Sequence, residues 1–565
     1  MLMMFLLNKI IMIKPSFKKL IKYYLLITLI MPINISLSQV MPTDKKQFTT
    51  NNKTFNIKIS NLGTPSLGSI GVKTNINDIM HLDVWQEMSA SEIVKQLNYI
   101  PDIVSSKALQ SLLIDLYLST SNPPRGNSDD IIKFLETRLI KIKSSGQSKK
   151  LYQLIEQLPK GQRWKTWRRW LIEYELLIHQ DKKACEFINK EARNNSNYFW
   201  QKSRIFCLSI NDKLNESEFI LDLIKSKGFS DITFENLFKI MNGDKTDFKF
   251  DKTDFKIEPI HIIMMDTLKI PIKTNFIADL GIEYTDPLLT LTYLTPKARS
   301  FLLDKKMNYD HVSSEQIIQN YKSVSNEPLN IQKAFSTYTE NPNGYSRANV
   351  WLSIISLNDD IKKVEAIFRI LKSEMKYGRF YHSINLYLPM LEKINTSSLT
   401  KKLNASIKKL KIVANPSLFL DDNLANILML KKDKEWDWNI ILKEKAWPLI
   451  PVLEEAGMLE PKSFKWLNIA NQYNRESFQE TKYNKWNINY NLNSFLLTKS
   501  IEQASNSNKK ALTLLLLARL VGNNPFIDFD VSQLLIIRKS LFNLGFRDLA
   551  NNLTLEVMTS KLITF

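Results

Sequence analysis

The two cysteines of the chain have a spacing that predicts a covalent bond. Cys185 and Cys207 are its only cysteines, and Ser196 lies midway between them in an Asn-rich, turn-forming run. Apolar residues at spacings of three and four flank this run, which predicts two antiparallel helices whose apolar faces meet. Residues equidistant from the turn then lie opposite each other, so we predict a disulfide. The alternative is a pair of reduced, buried thiols that pack as small hydrophobic groups.

The other reactive residue types are too scattered to predict a metal or nucleotide site. The chain has five histidines, and no two of them have the spacing of a zinc-binding helix. They are His81, His179, His261, His311 and His382. Residues 68–74 resemble a phosphate-binding loop but lack its adjoining Gly-Lys pair. We therefore predict no metal site and no cofactor.

One glutamate provides an enzymatic alternative. Soluble lytic transglycosylases of the bacterial periplasm combine a long α-superhelix with a lysozyme-like domain, in which the catalytic glutamate is followed by serine. Glu476 and Ser477 match that dipeptide, and a single carboxylic acid can cleave a glycosidic bond where its surroundings raise its pKa. The Gly-Leu-Met-Gln segment expected downstream is missing from the sequence. We therefore expect Glu476 to lie on the surface and the protein not to be an enzyme.

Aromatic and basic residues alternate between Trp164 and Trp170. Such a pattern also occurs on surfaces that bind single-stranded nucleic acid or membranes. The helical spacing places Trp164 and Trp167 on one apolar stripe, which favours packing in the core with the arginines on the solvated face. We predict no nucleic-acid partner.

Segments with helical periodicity, about 15 to 20 residues long, follow one another along most of the chain and are separated by short turns. Ser89 and Glu92 form a capping-box motif before the first of them. Two such segments make a repeat of roughly 35 to 40 residues, which is the size range of helical solenoids. We predict an all-α fold, namely a right-handed α-solenoid of antiparallel, tetratricopeptide-like helix pairs with an irregular N-terminal arm.

The pattern divides the chain into seven segments. A tandem copy of seven residues, 244–250 repeated as 251–257, marks the clearest internal boundary. The predicted segments are a signal peptide (1–38), an extended polar arm (39–88), an N-terminal helical-repeat domain with the cysteine hairpin (89–243), a duplicated loop (244–258), a middle helical-repeat domain (259–473), a loop-rich linker (474–506) and C-terminal helices (507–565).

The N-terminal segment has the features of a signal peptide. Residues 1–24 contain five lysines and no acidic residue, residues 25–35 are apolar, and Ser36, Leu37 and Ser38 suit a signal peptidase. The alternative is an uncleaved inner-membrane anchor, for which the apolar run is short. We predict a periplasmic protein that is not integral to the membrane after signal removal. Export to an oxidising compartment also favours the disulfide.

The composition is that of a folded, basic protein. Hydrophobic residues make up 44% of the chain, glycine is sparse at 14 residues, and the formal net charge is +20. A basic protein favours acidic partners or an anionic envelope surface. Part of this charge has an alternative origin, because abundant Lys, Asn and Ile are also typical of an AT-rich genome.

Several short motifs between residues 80 and 240 resemble a group of uncharacterised exported helical-repeat proteins from alphaproteobacteria. The motifs are Asp83-Val84-Trp85, Pro123-Pro124 after a leucine-rich helix, Arg138-Leu139, Ala184-Cys185, Phe199-Trp200 and Phe206-Cys207. The resemblance implies export and tetratricopeptide-like packing but brings no activity. We therefore expect a non-catalytic periplasmic scaffold or adaptor that binds an envelope protein or peptide, the alternative being a cell-wall glycan enzyme or its accessory.

Overall fold

The computed structural model describes residues 66–72, 82–244, 257–309, 312–431, 450–459, 492–523 and 529–562. All of them belong to one compact unit, Thr64–Phe565. Across these ranges the chain is all-α, as predicted, with 25 α-helices and no β-strand. Two isolated β-bridges join Ser89 to Arg125 and Ile272 to Leu294. The predicted signal peptide and most of the duplicated loop lie outside the described residues.

The helices follow one another in chain order with short connections. The first thirteen are α1 Ala90–Tyr99, α2 Lys107–Leu118, α3 Ser128–Ser144, α4 Ser148–Ile155, α5 Lys165–Leu177, α6 Asp181–Ala192, α7 Tyr198–Ser209, α8 Leu214–Ser226, α9 Ile232–Met241, α10 Pro259–Thr267, α11 Thr274–Ile277, α12 Thr285–Leu289 and α13 Pro296–Lys306. The others are α14 Ser314–Val324, α15 Ile331–Glu340, α16 Gly344–Ile355, α17 Asp360–Met375, α18 Phe380–Glu392, α19 Lys401–Ala414, α20 Asn423–Leu428, α21 Ile450–Glu455, α22 Leu492–Asn506, α23 Lys510–Val521, α24 Val531–Asn543 and α25 Arg547–Leu562.

Local capping explains where several helices begin and end. The predicted capping box of α1 is present: Ser89 Oγ accepts from the Glu92 N–H at 3.3 Å, and Glu92 Oε2 accepts from the Ser89 N–H at 3.0 Å. Gly378, with φ +66°, ends α17, and its N–H donates to the carbonyl of Met375 at 3.0 Å. Each of these caps involves only residues that are close together in the sequence, so the sequence alone can predict it.

Consecutive helices pack against each other, as α6 does with α7, α15 with α16 and α17 with α18. Alternate helices also contact, as α1 does with α3 and α22 with α24. Their buried apolar side chains form three clusters. One spans 172–302, one spans 303–459 together with Met558, and the third joins residues 70–174 to Val452 and residues 501–557.

The two ends of this unit are in contact. Helix α23 packs against α1 and α2, and α25 packs against α2. Glu87 accepts from the backbone N–H groups of Lys510 and Ala511, both at 2.9 Å, and so caps α23, which has no side-chain cap of its own. Repeat arrays in which each unit contacts only its neighbours lack contacts of this kind. Burial raises the pKa of Glu87, although these hydrogen bonds and Lys510 act in the opposite direction.

Two predicted segments need correction. Residues 492–506, assigned to a loop-rich linker, form α22, whose buried stripe of Thr498, Ile501 and Ser505 follows a helical spacing. The end of the predicted arm belongs to the core, because Trp85 is fully buried, donates from Nε1 to Ser119 Oγ at 3.1 Å and packs edge-to-face on Phe134. In the described part of the chain, no helix combines the length and the apolar character needed to cross a membrane.

Candidate functional site

A cavity of about 670 Å³ opens among parts of the chain that are far apart in sequence, and we call it the α2 cavity. Its first wall is α2 with the segment before it. Its second wall is the end of α13 and the turn between α17 and α18, while α4 and the segment after α23 complete it. Lining residues include Lys107, Ile114, Leu118, Lys150, Met307 and Arg379. Its volume lies in the range of small-molecule pockets.

Two acceptors cap the start of α2, and one comes from the far end of the chain. Ser106 Oγ accepts from the Leu109 N–H at 3.2 Å. Glu556 Oε1, from α25, accepts from the Ala108 N–H at 3.3 Å. A carboxylate at a helix N-terminus interacts favourably with the helix dipole. Burial raises the pKa of Glu556, and hydrogen bonds from this helix start, together with Lys107, partly offset that rise.

A buried arginine from α3 holds the other end of α2. Arg138 is 1% exposed, and its guanidinium donates to the Tyr117 carbonyl at 3.0 and 2.7 Å and to the Ser119 carbonyl at 2.9 Å. The guanidinium also lies over the Phe134 ring, with Arg138 Cζ 5.3 Å from the ring centroid. Burial lowers the pKa of Arg138 to about 10, so the group stays charged at neutral pH. A cation here also complements the C-terminal end of the helix dipole.

A cluster of four charged side chains fixes Arg379 in the second wall. Arg379 Nη2 lies 2.7 Å from Asp304 Oδ1, and Arg379 Nε lies 3.7 Å from Glu374 Oε2. Arg347 contacts the same two carboxylates, at 3.0 Å to Asp304 and 2.9 Å to Glu374. The Tyr338 hydroxyl also donates to Glu374. The two positive and two negative charges compensate each other, which a buried cluster of this kind requires.

Lys107 is the residue lining the α2 cavity whose pKa is shifted furthest from its ordinary value. Burial and the positive charge of Arg379 lower the pKa of Lys107 to about 8, and Glu556 partly raises it again. The side chain is open to the cavity, while the surrounding protein displaces most of the bulk water that would stabilise its charge. At neutral pH the amine is mainly protonated, so the cavity presents a positive charge to a ligand.

The turn between α3 and α4 packs closely on the second wall because it contains a glycine. Gly146 has φ +72°, and a Cβ at this position would lie 2.5 Å from Tyr309 Cε2. On either side of the glycine, Lys143 Nζ lies 3.1 Å from Glu283 Oε1, and Ser148 Oγ donates to the Glu283 carbonyl at 2.6 Å. These contacts fix the position of α4, and with it Lys150, at the cavity.

A second cluster of buried charges lies outside the α2 cavity. His261 Nδ1 accepts from the Glu258 N–H at 3.0 Å, which places the proton of the neutral ring on Nε2, 3.1 Å from Asp231 Oδ2. Lys202 Nζ lies 3.1 Å from Asp231 and also pairs with Glu258. Burial opposes ionisation, but His261 and Lys202 hold the pKa of Asp231 well below its usual range. His261 is 1% exposed, so we interpret this cluster as structural.

The structure brings together the two cysteines predicted to pair. Cys185 in α6 and Cys207 in α7 form a disulfide with an Sγ–Sγ distance of 1.97 Å and a Cα–Cα distance of 5.6 Å. Both belong to the cluster of residues 172–302, away from α2. In the aromatic segment, Trp164 and Trp170 are buried and Trp167 is half-buried, so its tryptophans pack in or against the core.

The other residues singled out in the sequence do not meet at one site. Glu476, His81 and His311 lie outside the described residues. His382 lines the α2 cavity, whereas His179 Nε2 lies 3.3 Å from Asp266 Oδ2. Within the described ranges, no group of three or more His, Cys, Asp or Glu side chains is arranged to hold a metal ion.

Comparison of the chain with models of protein families, with curated proteins and with solved structures gives no match in any of the three. The α2 cavity is therefore interpreted from its own geometry. The sequence reasoning did not single out Lys107 or Arg379, and it named Arg138 only within a motif of the resemblance, without a role. Of these, Arg138 gives a local signal, because it lies beside the apolar positions Leu135 and Leu139 on the buried face of α3.

Proposed function

We propose that this protein is a non-catalytic helical-repeat scaffold or adaptor of the bacterial envelope, and that it binds an acidic envelope protein or peptide at the α2 cavity. The observation that carries the proposal is that basic side chains from three parts of the chain line one cavity, together with the acidic Asp115. Lys107 comes from α2, Lys150 from α4 and Arg379 from the turn before α18.

The lining of the cavity favours binding as its role. Arg379 is fixed by Asp304 and Glu374, and α2 is held at both ends, so the walls are pre-organised before a ligand arrives. Pre-organised walls lower the entropy that binding costs. The formal charge of +20 over the whole chain also attracts acidic partners.

The proposed location is the periplasm, with an uncleaved inner-membrane anchor as the alternative. The disulfide between Cys185 and Cys207 supports this location, because disulfides persist in oxidising compartments. The contacts between consecutive and alternate helices support a stack of helix pairs, and we propose the right-handed, tetratricopeptide-like arrangement for it.

The test is site-specific photocrosslinking in cells. A photoreactive amino acid replaces Asn308 or Asn523, two exposed residues that line the cavity, and in a matched control it replaces the exposed Asn194 in the turn of the cysteine hairpin. We expect both cavity positions to capture the same envelope protein, and mass spectrometry to map the crosslink to an acidic segment or a chain end.

Two results would contradict the proposal. Capture of the same proteins at Asn194 would show that the crosslinks do not report on the cavity. Recovery of glycan fragments alone would favour the cell-wall enzyme, and Glu476 would then be the next residue to substitute.

A further inference from the structure

We propose that the α2 cavity recognises the C-terminal carboxylate of a polypeptide, which it holds between Lys107 and Arg379. This inference rests on the proposed function and names the part of the partner that enters the cavity. It follows from the placement of two cations, the apolar surface beyond them and the size of the space.

The two cations face one space from opposite walls. Lys107 is the first residue of α2, and Arg379 precedes α18. Their like charges repel, which contributes to the lowered pKa of Lys107. A carboxylate between them is attracted to Lys107 and can accept a hydrogen bond from Arg379, whose charge is compensated by Asp304 and Glu374. The start of α2 is already capped by Ser106 and Glu556, so its dipole adds nothing further. Because Asp304 and Glu374 fix the Arg379 guanidinium, the protein does not have to reorganise this wall.

Apolar side chains form part of the cavity wall farther along the same face of α2. Ile114 and Leu118 follow Lys107 by about 10 Å and about 16 Å along the helix, at 1.5 Å per residue, and both line the cavity. Met307 contributes from the second wall. Gln110, Ser111 and the acidic Asp115 line the same stretch of α2, so a ligand with its carboxylate at Lys107 meets a mixed surface. Ile114 and Leu118 are the part of that surface that a chain ending in an apolar residue can contact.

The size of the cavity favours the end of a chain over a folded surface. A cavity of about 670 Å³ accommodates a ligand of drug size, which corresponds to a few amino-acid residues. A chain end enters such a space with one free carboxylate, whereas an internal acidic side chain brings a backbone that must enter and leave. C-terminal carboxylate capture is also an established mode of peptide recognition.

The experiment measures the binding of a defined probe to the purified full-length protein. The probe is an N-terminally dansylated Ala-Ala-Leu tripeptide with a free carboxylate, and its C-terminal carboxamide is the matched control ligand. The variants are Lys107→Met, Lys107→Arg as the charge-conserving rescue, and Lys149→Met, which removes an exposed lysine that does not line the cavity.

We expect the carboxamide to bind at least about 10-fold more weakly than the acid, and Lys107→Met to lose a similar factor, as for a hydrogen bond to a charged group. Lys107→Arg should retain most of the affinity, and Lys149→Met all of it. Circular dichroism shows whether each variant is folded.

Equal binding of acid and carboxamide would overturn the inference, and so would full affinity in Lys107→Met. A carboxamide with an internal aspartate that binds as well as the acid would assign the cavity to acidic side chains instead. If the acid does not bind while Asn308 still captures an envelope protein in cells, the proposed function stands and the carboxylate recognition is wrong.

Discussion

Helix α2 has a cation at each end, and the protein uses the two cations in different ways. At the C-terminal end, Arg138 is buried and its donors are occupied by the carbonyls of Tyr117 and Ser119. At the N-terminal end, Lys107 opens to a cavity and faces the positive Arg379. A cation whose donors are used within the fold holds the helix in place. A cation that lines a cavity is also in a position to contact an anionic ligand.

The largest expected difference between the two ends is in stability. Arg138→Met leaves buried carbonyl groups without donors, at a cost of about 1–3 kcal/mol each, so we expect a loss of about 4 kcal/mol in the free energy of unfolding. Lys107→Met removes a charge that is destabilised by its surroundings, and should cost little. Urea unfolding followed by circular dichroism measures both. If the two variants unfold at the same urea concentration, the contrast between the ends is wrong.

Removal of the disulfide tests whether ligand binding at the α2 cavity depends on the global stability of the protein. Replacing Cys185 and Cys207 together by serine should lower the free energy of unfolding by about 3 kcal/mol, because the bridge closes a loop with a sequence separation of 22. The cysteine hairpin belongs to another hydrophobic cluster, so binding of the tripeptide acid should be unchanged. Loss of binding in this folded variant would show that the α2 cavity is not an independent site.

Alanine substitutions at two glycines distinguish the cost of disturbing the cavity wall from the cost of backbone strain. Gly146 and Gly228 have φ of +72° and +87°, but a Cβ would meet the Tyr309 ring at Gly146 and open space at Gly228. Gly228→Ala should cost about 1 kcal/mol, from the left-handed conformation alone. Gly146→Ala should cost about 2 kcal/mol, because the Tyr309 ring must also shift to admit the Cβ, and it should weaken tripeptide binding. Thermal unfolding and titration of both variants give the comparison, and equal losses would show that the contact with Tyr309 is unimportant.

The smallest predicted effect is a pH dependence. The pKa of Lys107 is lowered from its ordinary value of 10.5 to about 8, so above pH 8 the unfolded chain binds more protons at this residue than the folded chain. Stability should therefore rise with pH between about 8 and 9.5 relative to Lys107→Met. The rise in stability should be small because the amine is open to solvent. Urea midpoints of the wild-type chain and of Lys107→Met at pH 8 and pH 9.5 measure it. If the midpoints of both proteins change with pH by the same amount, Lys107 does not have a lowered pKa.

Local patterns predicted the parts of the fold that depend on neighbouring residues. The capping box of α1 and the pairing of Cys185 with Cys207 follow from local motifs, turn positions and helical spacing. Helix α22 was missed because its short buried stripe follows an Asn-rich stretch. The α2 cavity was missed for a different reason. Periodicity shows that a face is buried, but not that Lys107 would meet Arg379 and Glu556, which belong to distant parts of the chain.

Residues near the start of the described unit cap a helix near its end, and a residue near its end caps a helix near its start. These contacts limit the order in which the protein can finish folding. Glu87 caps α23, Glu556 caps α2, and one hydrophobic cluster joins residues 70–174 to residues 501–557. While the ribosome is still making the middle of the chain, the helices made first lack the partners that bury them. Contacts across such a sequence separation form slowly, and the surface that α23 and α25 bury can bind chaperones until those helices are available. A product truncated before α22 would keep that exposed surface and be a target for proteolysis.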